Sequence, residues 1–125
     1  MTGRVVHFEL PADDVERARG FYRDVFSWVI NPMPELDYTI VHTTPTDADG
    51  MTTEPGAING GICKRESPVT GPVITIDVSD IDATLTQIER AGGKTVSGKE
   101  PVGDMGFAAY FNDPDGNLVG LWQNP

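Results

Sequence analysis

The sequence predicts an α+β fold built from two βαβββ modules, and three observations predict it. A strand followed by a capped helix occurs twice, at 4–25 and at 73–91. The two copies superpose at a shift of 66 residues (14 onto 80), apolar positions on apolar positions. Each copy then runs on into short apolar segments separated by turn residues.

The first strand is Arg4-Val5-Val6-His7-Phe8-Glu9-Leu10. Alternation puts Val6, Phe8 and Leu10 on one face and Val5, His7 and Glu9 on the other. Pro11 is expected to end it. Asp13 or Asp14 supplies a helix cap, and Val15, Ala18, Phe21 or Tyr22, and Val25 follow at helical spacing. Gly20 lowers the helix propensity slightly. Trp28-Val29-Ile30 and Tyr38-Thr39-Ile40-Val41 read as strands. The loop at 44–57 is rich in Pro, Gly, Asp and Thr, and long loops in compact domains often cover a site. Ile58 to Cys63 closes the first module.

The second copy opens with Val73-Ile74-Thr75-Ile76-Asp77-Val78. Ser79 or Asp80 caps a helix carrying Ile81, Leu85 and Ile88, and Gly92-Gly93 stops it. The 66-residue shift places Phe8 on Ile74, Leu10 on Ile76 and His7 on Val73. Strands are expected at Lys94-Thr95-Val96, Phe107 to Phe111 and Leu118 to Trp122. Asp113-Pro114-Asp115-Gly116 is a turn, with Gly116 available for a positive φ. Gly61-Ile62 matches Gly120-Leu121 at a shift of 59, and the seven extra first-copy residues fit the loop at 44–57. One domain over 1–125 is expected, with modules at about 1–63 and 72–125 joined by a linker at 64–71.

The 125 residues suffice for one sizeable core. Nine basic against 19 acidic residues give a net charge of −10, which argues against nucleic acid and against an anionic membrane surface. No apolar run is long enough to span a bilayer. The first residues lack the apolar stretch of a secretory signal, so a cytoplasmic location is expected. Cys63 is the single cysteine, which excludes an internal disulfide and a cysteine-rich zinc site.

His7 on the first strand, Phe21-Tyr22 on the first helix, Gly92-Gly93 after the second helix and Asp113-Pro114-Asp115-Gly116 before the last strand fall in one order on two matching modules. So arranged, the chain resembles the vicinal oxygen chelate superfamily, the glyoxalase/bleomycin resistance/dioxygenase fold. Asn59-Gly60-Gly61-Ile62, Gly71-Pro72-Val73 and Gly120-Leu121-Trp122 resemble the branch of predicted enzymes related to lactoylglutathione lyase. The resemblance implies a half-open, mixed-sheet barrel around a cavity between the modules, and pairing into homodimers. Metal-using members take four ligands, one from the first and one from the last strand of each module. Their divalent ion polarises an enediolate or binds oxygen while a carboxylate moves protons.

Carried over residue by residue, those four positions are His7, Val73, Gly61 and Gly120. One imidazole is too few donors for such a site. The resemblance therefore implies a protein that binds a small organic molecule in the cavity without the family's metal. The alternative is a lyase, isomerase or hydroxylase using His7 for proton transfer or for a divalent metal, with Glu9 on the same face. Gly61 and Gly120 are expected to open the cavity floor, with Trp28, Tyr38, Phe107 and Trp122 as its aromatic lining. Asn59 either hydrogen-bonds a ligand or makes a bulge. Cys63 falls on the cavity face by alternation and is read as a small buried apolar residue.

Overall fold

The computed structural model of the protein describes residues 3–125. Two compact units make up the chain: His7–Pro72, and Val73–Pro125 together with the residues before His7. The first contains β1 (Val5–Ala12, whose first two residues count with the other unit), α1 (Val15–Phe26), β2 (Val29–Met33), a 3-10 turn at Pro34–Leu36, β3 (Tyr38–His42) and β4 (Asn59–Lys64). Its strands lie in the order β2-β3-β4-β1, with β1 parallel to β4 and the other pairs antiparallel. The second contains β5 (Val73–Asp77), α2 (Ile81–Arg90), β6 (Lys94–Val102), β7 (Gly106–Asn112) and β8 (Leu118–Gln123). There the order is β6-β7-β8-β5, with β5 parallel to β8. The repeat read from the sequence is thus present as two βαβββ units of one topology, and the fold is α+β.

Each helix starts where an aspartate satisfies an orphan backbone donor. Asp14 accepts from the Arg17 amide at 3.0 Å, and Asp80 accepts from the Ala83 amide at 3.1 Å. Beyond α2 the chain turns at Gly92, whose φ of 100° suits glycine, and the Gly93 amide donates to the Ile88 carbonyl. No helix among the described residues is long and apolar enough to cross a membrane.

Two boundaries differ from expectation. Pro11 does not end β1: the strand runs to Ala12, Pro11 lies opposite Cys63, and the Arg65 amide donates to the Ala12 carbonyl at 2.9 Å. Proline removes a donor but leaves the acceptors a neighbouring strand uses. β6 is also far longer than Lys94-Thr95-Val96. It is an edge strand with register shifts between Thr95 and Ser97 and between Ser97 and Glu100. Its Lys94, Gly98, Lys99 and Pro101 guard an edge and hide its period.

In the first unit Val41, Ile62 and Thr39 are fully buried. The Thr39 hydroxyl accepts from Arg19 Nε at 2.8 Å, tying α1 to β3. In the second, Ile81, Leu85, Ala109, Phe111, Val119 and Leu121 form the core under α2. The Ile81 amide donates to Gln123 Oε1, so α2 is fastened to β8 at its first turn. Asp77 accepts from both the Arg4 amide and Arg4 Nη2, at 2.9 and 2.8 Å, which fixes Arg4 against the end of β5.

Candidate functional site

β1 and β4 run side by side, with His7 opposite Asn59, Glu9 opposite Gly61 and Pro11 opposite Cys63. β3 flanks β4 with Ile40 opposite Gly61. Strand alternation therefore gathers His7, Glu9, Tyr38, Ile40, Asn59, Gly61 and Cys63 on one face of the first unit's sheet. Phe8, Leu10, Gly60 and Ile62 take the other face, toward α1.

His7 Nε2 lies 2.8 Å from the Tyr38 hydroxyl, and the two rings are roughly parallel, 24° apart. Burial lowers the His7 pKa below its ordinary 6.5, outweighing the opposing negative charge of Glu9. The imidazole is accordingly neutral at pH 7. Glu9 itself is 7% exposed. Burial, reinforced by the same charge, pushes the Cys63 thiol up to about 11, so Cys63 is no nucleophile at neutral pH.

Gly61 does not open a void. A Cβ built on it would overlap the Tyr38 ring, with the hydroxyl oxygen nearest. The next glycine back behaves the same way on the opposite face: a Cβ on Gly60 would overlap the Phe8 ring. Two adjacent glycines thus seat two aromatic rings, one on each side of β4. Gly120 is opposite Thr75 and Tyr110 in register, and a Cβ there would meet the Thr75 hydroxyl at 2.8 Å. Both glycines make room for a neighbour's side chain, which corrects the expectation that they open a floor.

Asn59 spends its amide on the adjoining loop. Its Oδ1 accepts from the Thr43 amide at 2.9 Å and its Nδ2 donates to Thr46 Oγ1 at 2.8 Å. Beside it, Thr43 Oγ1 donates to the Ile58 carbonyl. Asn59 is therefore the clasp at the base of the loop at 44–57.

Within the first unit Trp28 is not with this group, and within the second Phe107 lies on the face away from Gly120. The Trp28 ring stacks on Tyr22, 4.6 Å away and 10° from parallel, and sits 5.7 Å from Phe8, on the α1 side. Phe107 packs against the core under α2, with Lys99 Nζ 4.4 Å from its ring centre. Trp122 lies opposite Asp77 on the face that carries Gly120, and its Nε1 donates to Asn124 Oδ1. Alternation counted within one strand could not sort these three, because face follows from which strand pairs with which.

The donor set does not fit the family's metal. Val73 is an apolar residue 3% exposed, Gly61 is covered by a ring and Gly120 has no side chain. Among the described residues no three His, Cys, Asp or Glu side chains are grouped to hold a metal ion. The coupling of Tyr38 to His7 is the feature sequence reading missed. Its only trace was the glycine opposite Ile40, visible once β3 is known to pair with β4.

Comparison with known proteins agrees with the fold. The family described as bleomycin resistance protein-like N-terminal matches residues 4–44. A glyoxylase-like domain-containing protein of Didymella fabae is 31% identical, with 98% of this chain and 95% of that protein covered. A probable lactoylglutathione lyase of Vibrio parahaemolyticus is 29% identical over 98% of this chain and 91% of the relative. The crystal structure of a glyoxalase/bleomycin resistance protein/dioxygenase superfamily member from Vibrio splendidus aligns over all of both chains, with a TM-score of 0.63 and 20% identity.

Proposed function

The chain belongs to the glyoxalase/bleomycin resistance/dioxygenase superfamily, and from that premise we propose that it binds a small organic molecule at the His7 face without a divalent metal. One observation carries the reading: of the four ligand positions implied by the resemblance, only His7 offers a donor, and that donor is engaged by Tyr38. Tetrahedral zinc sites take three or four protein donors, oriented by outer hydrogen bonds. The test is elemental analysis of protein purified without chelator, beside calorimetric titration of organic ligands with and without EDTA. Expected are sub-stoichiometric metal and binding indifferent to EDTA. A stoichiometric ion released by His7→Ala would overturn the reading.

A second reading has a specific observation behind it. A neutral imidazole hydrogen-bonded to a phenol, with a carboxylate on the same face, is a competent proton-transfer group. The protein would then be a lyase or isomerase working by His7. Its test is turnover that survives EDTA and disappears in His7→Gln.

Pairing of two copies is proposed as well. Phe21, Val25, Phe26 and Val29 lie near one another in sequence at the end of α1 and the start of β2, each more than half exposed. Light scattering after gel filtration tests this, with Phe26→Glu expected to give monomers and an already monomeric parent refuting it.

A further inference from the structure

We propose that two copies of the chain pair through α1 about a two-fold axis that passes beside Phe21, so that Arg17 of each copy meets Asp24 of the other. This rests on the pairing of copies proposed above and names the geometry and the contacts of that pairing.

Three observations lead there. First, one stripe of α1 is apolar and exposed. Phe21 and Val25 stand one helical turn apart on the same face, and each is more than half exposed. Phe26 and Val29, also more than half exposed, carry the patch past the end of the helix. Exposed apolar patches mark contact surfaces.

Second, the two halves of the helix differ in shape. A groove of about 420 Å³ runs along its first two turns, lined by Leu10, Pro11, Arg17, Ala18, Phe21 and Arg65. The exposed side chains of Val25, Phe26 and Val29 gather at the other end. Phe21 belongs to both halves and sits near the middle of Val15–Phe26. A two-fold axis across the helix at Phe21 reverses its direction. It lays the apolar end of each copy along the groove of the other, in an isologous contact that closes at two copies.

Third, the charges on the stripe complement one another under the same operation. Arg17 lies one turn before Phe21 and Asp24 one turn after it, on the same face. The Arg17 guanidinium has no hydrogen bond or ion pair among the described residues. Asp24 is paired with its chain neighbour Arg23, at 3.2 Å and with both side chains largely in solvent. Reversal about Phe21 exchanges the ends of the stripe and so sets each Arg17 against Asp24 of the other copy. A chain of net charge −10 repels its own copy, and these two pairs offset that repulsion where the surfaces meet.

The test is sedimentation equilibrium of the full chain, of Arg17→Glu, of Asp24→Arg, of an equal mixture of those two, and of the double variant. Circular dichroism checks that each keeps the parent's fold. Expected is a dimeric parent. Each single variant sets like charges together at both contacts and should pair roughly tenfold more weakly. In the mixture both contacts are again of opposite sign, so the two variants should pair with each other in preference to themselves. The double variant should regain the parent's affinity. A monomeric parent overturns this arrangement and the pairing reading together. A dimeric parent that Phe26→Glu separates, with single variants of unchanged affinity or a mixture without gain, keeps the pairing and overturns the Arg17–Asp24 contact. Should a charge reversal disturb the fold, Arg17→Ala and Asp24→Ala replace the pair. Each should weaken pairing about threefold, and unchanged affinity in both overturns the contact.

Discussion

Gly61→Ala is the substitution on which the geometry speaks most directly. The added methyl would fall inside the Tyr38 ring, against its hydroxyl, Cε2 and Cζ. The backbone cannot yield easily, since Gly61 is paired on both sides, to Glu9 and to Ile40. The ring must therefore leave. Overpacking of this kind costs about 1–3 kcal/mol, and the broken His7–Tyr38 bond adds about 0.5–1.5 kcal/mol. A loss of roughly 2–4 kcal/mol follows, which for a chain of this length lowers Tm by on the order of 10 °C. Urea unfolding of the parent, Gly61→Ala, Tyr38→Ala and the double variant forms a cycle that isolates the clash. With Tyr38 removed, the three atoms nearest the added methyl are gone, and the smaller backbone entropy of alanine in the unfolded state becomes a gain of about 0.4–1 kcal/mol. The coupling should thus exceed about 2 kcal/mol, with the alanine harmful beside Tyr38 and mildly helpful without it. Gly120→Ala is the control, since a Thr75 hydroxyl can rotate aside. A Gly61→Ala protein within about 0.5 kcal/mol of the parent, with additive variants, would refute the ring-over-glycine arrangement.

Burial holds the folded His7 pKa below 6.5, so the unfolded chain binds the extra proton first. Stability at this residue is full above pH 6.5 and falls as pH drops through the interval down to the folded value. Urea midpoints from pH 8 to 5 should decline, and His7→Gln should flatten that decline; an equal slope in both proteins would exclude His7 as its source. Asp77 and Asp113 are lowered carboxylates, held by Arg4 and Asn117, and their stabilisation is lost only at more acid pH, below 3.8. Cys63, with a thiol at about 11, should react with iodoacetamide far more slowly at pH 8 than a free cysteine does, and accelerate toward pH 11; rapid labelling of folded protein at pH 7 would contradict its environment. Trp28→Ala removes the ring between Tyr22 and Phe8 and should cost about 2–4 kcal/mol in a urea melt while leaving the His7 ring resonances in place; displacement of those resonances in folded protein would return Trp28 to the His7 face.

Much of the architecture could be read in one dimension. Alternation at Val6, Phe8 and Leu10 and helical spacing at Ile81, Leu85 and Ile88 depend on residues close in the chain, so strand, helix and repeat were all legible. The caps at Asp14 and Asp80 are local chemistry of the same kind. The start of β6 was legible at Lys94-Thr95-Val96, but its full length escaped because an edge strand defended by lysine, glycine and proline carries no apolar period.

The site divides along the same line. At the four positions that the resemblance implies, the sequence itself shows a valine and two glycines, whose side chains bind no ion, and His7 shares a face with Glu9 by parity alone. Only the tertiary structure decided what stands in the place of the missing donors. Tyr38 reaches His7 from 31 residues away because β3 pairs with β4 and β4 with β1, and pairing is set by packing between distant segments. The same distant packing stacked Trp28 on Tyr22, set Phe107 against the core under α2 and committed Asn59 to its loop.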